Sequence, residues 1–106
     1  MTYYLVKGDT GTQIKVALAR QGTTDPIDLN TAVAVLKVRA EGKSYNAFEV
    51  TGTKDIVNDN EALFLLGANM LTVSPGRYTG EVEVTFPDTS VESVYEIIPI
   101  FIRDQY

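Results

Sequence analysis

The sequence predicts an all-β sandwich, and three observations carry that expectation. Apolar and polar residues alternate with a period of two over several segments, most regularly from Thr12 to Leu18, from Val33 to Arg39 and from Tyr78 to Thr85. Clusters of Gly, Pro, Asn and Asp interrupt the chain about every ten residues, the spacing of short antiparallel strands. The runs between them are rich in Val, Ile, Thr and Tyr, which fit a pleated, half-buried surface.

Tyr3-Tyr4-Leu5-Val6 is a short β-prone run ending in Lys7-Gly8-Asp9-Thr10-Gly11, where two glycines and an Asp supply turn conformations. From Thr12 onward Ile14, Val16 and Leu18 share one face of a strand and Gln13, Lys15 and Ala17 the other. Arg20 to Ala32 contains Gly, Asp-Pro and Asn-Thr and reads as a loop, with Ile27 and Leu29 tucking inward to fasten it. Val33 to Arg39 is the next strand, with Ala34, Leu36 and Val38 facing in. Glu41 to Ser44 turns the chain into a short strand from Tyr45 to Val50. Periodicity cannot separate a buried strand from the start of a helix over Ala62 to Leu66; a strand is favoured, followed by one short helical turn around Ala68 to Leu71 that Pro75-Gly76 stops.

The last third reads as a hairpin. Tyr78, Gly80, Val82 and Val84 face in, and a four-residue turn, Pro87 to Ser90, leads into Val91 to Arg103. That turn length places Val84 opposite Ser93, Val82 opposite Tyr95 and Gly80 opposite Ile97 on the inner face. On the outer face it sets Glu83 against Val94 and Glu81 against Glu96. About seven short strands with one helical turn indicate an immunoglobulin-like β-sandwich.

The 106 residues form one domain, 1–106, large enough for a single core. No apolar run approaches the length of a bilayer span. The absence of Cys and His removes thiolate chemistry, the commonest general base and the commonest transition-metal ligands, so no catalytic residue, cofactor or metal site is expected. A net charge of −5 argues against a nucleic-acid backbone as partner. The N-terminus carries no basic stretch followed by a long apolar core, so cytoplasmic synthesis and assembly are expected.

Asp9-Thr10-Gly11 invites one enzymatic reading. A retroviral-type aspartic protease is a homodimer of about this size, each subunit giving one carboxylate of a pair that shares a proton. Leu65-Leu66-Gly67 resembles the second element of such an enzyme. Lys7-Gly8, however, stand where two apolar residues should precede the Asp, and only eight residues come before it. The same triplet is explained more fully as a turn between an edge strand and the strand starting at Thr12.

In succession, "YLVKGDTGTQIKVALARQG", "PIDLNTAVAVLKVRAEGK", "DIVNDNEALFLLGANML" and "SPGRYTGEVEVTFPDTSVES" resemble the N-terminal domain of the tailed-phage baseplate upper protein family. The resemblance runs from about Tyr3 to Ile102 and rests on the order and spacing of these elements. It implies an immunoglobulin-like virion module that anchors receptor-binding or other distal parts to a phage tail or baseplate. Its implied partners are other tail and baseplate proteins, and a homo-oligomer in a particle assembled in the host cytoplasm. Family members usually continue past the position of "FIRDQY", so the chain is expected to be an N-terminal anchoring domain or a short adaptor.

The residues themselves suggest where contacts would form. The final strand is apolar on both sides, and Val94, Ile98, Ile100 and Ile102 are the expected protein interface, with Pro99 marking a bulge or free edge. Glu81, Glu83, Glu92 and Glu96 form an acidic group, which Lys37 and Arg39 on a neighbouring strand are expected to neutralise. The tyrosines, notably Tyr3, Tyr4, Tyr45 and Tyr106, could stack on sugars and leave a carbohydrate-binding module as the alternative function.

Overall fold

The computed structural model describes residues 3–9, 11–19, 25–67, 71, 73–93 and 98–104. These form two packed β-sheets with no helix among them, as the alternation predicted. The strands are β1 (Tyr3–Val6), β2 (Thr12–Ala17), β3 (Val33–Ala40), β4 (Phe48–Thr51) and β5 (Thr53–Lys54). They continue as β6 (Glu61–Leu66), β7 (Gly76–Thr85), β8 (Val91–Ser93) and β9 (Ile98–Arg103). One sheet runs β1-β9-β7-β3-β4, with β8 also paired to β7, and the other runs β2-β6-β5.

That order is a Greek-key sandwich of immunoglobulin-like type. The first strand lies parallel to the last, Tyr3 beside Ile100 and Val6 beside Arg103, while every other pairing is antiparallel. A second feature of such sandwiches is present near the start of β7, where the Tyr78 hydroxyl donates a hydrogen bond to the Ser74 carbonyl four residues upstream. Burial raises the pKa of that hydroxyl and keeps it a donor.

The core is built by one face of each strand. Ile14 and Val16 of β2, Leu36 and Val38 of β3, Phe64 and Leu66 of β6 and Val82 and Val84 of β7 are all buried. Each such side chain contributes about 1.5–3 kcal/mol relative to exposure. Ile27 is buried and Leu29 packs against the core, fastening their loop as expected. The Ile27 N–H donates to the Leu18 carbonyl at 3.1 Å, and an Ala19–Pro26 bridge lies beside it. Of the expected helical turn, Ala68 to Leu71, residues 68–70 lie outside the described residues.

Between β4 and β5 the chain passes from one sheet to the other at Gly52, whose N–H donates to the Ala34 carbonyl at 2.8 Å. Beyond β5, Asp55 accepts hydrogen bonds from the backbone N–H groups of Val57 and Asn58, both at 3.1 Å. This turn holds Ile56 and Val57 out in solvent.

The final hairpin differs from the expected register. Its loop has three residues rather than four: Phe86 pairs directly with Ser90, and Thr89 takes the left-handed conformation at φ 69° that closes such a loop. Asp88 Oδ1 accepts from the Ser90 backbone N–H at 3.0 Å and steadies it. Thr85 therefore faces Val91, Val84 faces Glu92 and Glu83 faces Ser93. Gly80 then faces Ile98, so two residues separate these pairs along β7 and four separate them along the chain after β8. Tyr95, Ile97 and their expected partners lie outside the described residues.

A one-residue error in register exchanges the two faces of a strand. Ile98, Ile100 and Ile102, expected at an interface, are instead buried in the protein's own core. Pro99, Phe101 and Arg103 occupy the solvent side. Val94, the fourth expected interface residue, lies outside the described residues.

Candidate functional site

The solvent face of the larger sheet can be followed row by row across its strands. In the middle, Lys37 of β3 faces Glu81 of β7 on one side and Glu49 of β4 on the other. Its Nζ donates to Glu83 Oε2 at 3.0 Å. This hydrogen bond, with the nearby Glu49 and Glu81 charges, raises the Lys37 pKa. The expected pairing from β3 is thus observed for Glu83, while Glu81 faces the same lysine across the sheet. Arg39 bonds Asn46 Oδ1 at 3.4 Å instead. Glu96 lies outside the described residues. Among the described residues no group of three or more acidic side chains is placed to hold a metal ion.

Toward the other end of the same face the chemistry becomes aromatic. Tyr4 of β1 lies beside Phe101 of β9, Phe101 lies opposite Arg77 of β7, and the Glu41 N–H donates to the Arg77 carbonyl at 3.0 Å. One row thus crosses four chain segments. The Tyr4 and Phe101 rings are 6.3 Å apart between centroids and tilted by 52°, within the range of aromatic pairs in contact. Tyr4 is 76% exposed and Phe101 37%. With Thr79 and Pro99 these residues line a groove of about 440 Å³ running across the strands.

The groove was hidden from sequence reasoning by the same exchange of faces. The signal was the alternation in "IPIFIR", which sets three isoleucines against Pro99, Phe101 and Arg103. The tyrosines of the carbohydrate reading are not gathered into one platform. Tyr3 packs against the core, Tyr4 lines the groove, Tyr45 is exposed beyond β3, and Tyr106 lies outside the described residues.

Asp9 sits in the turn that leaves β1. The Asp9 N–H donates to the Val6 carbonyl at 3.2 Å, Gly8 has a φ of 91°, and the Gly8 N–H donates to the Leu71 carbonyl at 2.8 Å. A positive φ at the third residue is the glycine position of a type II turn. Asp9 is exposed.

These features define an immunoglobulin-like sandwich with an aromatic groove on its larger sheet. No family model matches the chain, and no curated protein matches it. Among solved structures it is similar to CopC from Methylosinus trichosporium OB3b, with a TM-score of 0.58 and 7% sequence identity over 99% of this chain and 86% of that one. At that identity the likeness shows the fold and transfers no residue. It corrects the expected function. The sandwich over which the phage tail resemblance ran is matched along its whole length by CopC, so the assignment to a virion attachment module is withdrawn.

Proposed function

We propose that this protein is a non-enzymatic recognition module that takes a segment of a partner polypeptide across the groove bounded by Tyr4 and Glu41. The observation that carries the reading is the exposed Tyr4–Phe101 pair beside Arg77. Aromatic residues and Arg are enriched where proteins bind one another, because they bring large contact area with few torsions to freeze. Here the floor is aromatic and proline, the wall carries a guanidinium, and Glu41 adds one carboxylate at the far end. An extended peptide matches that combination: apolar side chains cover the rings while its carbonyls and carboxylates meet Arg77.

The experiment is site-specific photo-crosslinking in the producing cell. A benzophenone side chain at Phe101 is expected to trap a defined polypeptide, while the same group at Thr51, exposed on β4 at the far edge of the sheet, does not. No adduct at Phe101, or equal trapping at both positions, overturns the reading.

A further inference from the structure

The edge strands of the two sheets are not alike. Natural edges are protected by charged residues or proline, because their unpaired backbone groups otherwise template another strand. Among the described residues, β2 carries Lys15, β4 carries Glu49, β5 carries Lys54 and β8 carries Glu92. Lys15 is held by Glu61 of β6 at 3.1 Å and by Asp55 at 3.6 Å. β1, Tyr3-Tyr4-Leu5-Val6, has neither a charge nor a proline, and among the described residues it pairs with β9 alone.

Its free groups can be named. The Lys7 N–H donates to the Arg103 carbonyl at 2.8 Å, so alternation along the strand turns the backbone groups of Leu5 and Lys7 toward β9. The Tyr4 N–H and carbonyl and the Val6 N–H point away from the sheet. The Val6 carbonyl takes the Asp9 N–H and keeps a second lone pair.

We propose that β1 is a self-pairing edge: a second copy of this chain adds its own β1 antiparallel across a two-fold axis, joining the two larger sheets into one. The register follows from the free groups. Leu5 lies on the axis opposite Leu5 of the second copy, and Tyr4 lies opposite Val6 of the second copy, so the outward-pointing backbone groups meet each other. Both side chains of that pair stand on the solvent face, and an aromatic residue beside a β-branched one is a favourable cross-strand neighbour. Such a contact is isologous and closes as a dimer. Charge favours this edge for an acidic protein, because β4, at the opposite edge of the same sheet, carries Glu49 while β1 itself is neutral. The pairing uses the backbone of β1 and does not depend on what occupies the groove.

Sedimentation equilibrium across a concentration series, paired with amide hydrogen exchange on the wild-type protein, tests it. A reversible dimer is expected, in which the Tyr4 and Val6 amides become protected as concentration rises. Tyr4→Lys, at a position already exposed, should raise the dimer dissociation constant by about tenfold or more. Phe101→Ala, which alters the groove and leaves the β1 backbone untouched, should keep the dimer. A wild-type protein that stays monomeric to about 1 mM, a dimer indifferent to Tyr4→Lys, or a dimer whose Tyr4 and Val6 amides exchange as fast as in the monomer would each overturn the proposal.

Discussion

The α-carbon of Gly52 lies against the ring of Phe64: a β-carbon at Gly52 would stand 2.7 Å from Cε1, well inside contact distance. The chain changes sheets at this point, and Phe64 is fully buried beneath it. Gly52→Ala is expected to destabilise by about 1–3 kcal/mol through overpacking. Gly11→Ala, with nothing within 4 Å of the new carbon, is the comparison. Thermal denaturation separates the two, at about 4–8 °C per kcal/mol for a domain near this size. Equal melting temperatures would mean that the ring swings aside.

Ile100 and Phe101 are neighbours on opposite faces of β9, and their substitutions should part accordingly. Ile100 is buried against Gly80, whose own added β-carbon would meet Ile100 Cδ1 and Leu36 Cδ1 at 3.2 Å. Ile100→Ala is expected to cost about 2–5 kcal/mol, and Ile100→Lys to unfold the monomer. Phe101→Lys should leave the circular dichroism spectrum and the urea midpoint close to wild type. A folded Ile100→Lys protein would contradict the observed facing of the strand.

Tyr78→Phe removes the hydroxyl that bonds the Ser74 carbonyl and nothing else. The expected loss is about 1 kcal/mol, the usual net contribution of one such bond. Urea unfolding measures it. No change would show that water replaces the hydroxyl at Ser74, which is itself exposed.

Asp55 links stability to acid. Its carboxyl is held below its ordinary value of 3.8 first by the N–H groups of Asn58 and Val57, with Lys15 adding to the effect and desolvation opposing it. A lowered folded-state pKa gives stability that is present above the unfolded value and disappears as pH falls through the folded one. Asp55→Asn should therefore be less stable than wild type at neutral pH. The two proteins should converge below pH 3.8. Paired urea titrations across that range check the convergence, and a constant gap at all pH values would assign the effect to packing.

β5 falls in a polar stretch that reads as a turn, but the strands and inward faces of β2, β3 and β7 were legible because each alternates polar with apolar residues, and tertiary packing only had to agree. Lys37 between Glu81 and Glu83 was legible for the same reason. Two things were not. The hairpin register turned on Thr89 adopting a left-handed conformation that sequence ordinarily assigns to Gly or Asn, and on the unequal chain lengths between the Glu83–Ser93 and Gly80–Ile98 pairs. The apolar residues on both faces of the final stretch then masked the phase carried by the alternation in "IPIFIR". The groove needed Tyr4 and Phe101 side by side, a parallel pairing between the first and last described strands that leaves no local trace.

That parallel pairing also fixes how the protein carries load. Because β1 and β9 run in the same direction, tension that pulls Tyr3 backward along the chain and Arg103 forward slides one strand past the other. The hydrogen bonds along the Tyr3–Ile100 to Val6–Arg103 ladder then resist together, in shear, whereas an antiparallel terminal pair would open one bond at a time. Pulled through these two positions by atomic-force microscopy, the domain should yield in a single event at a force well above that needed when it is gripped across the β7–β8 hairpin.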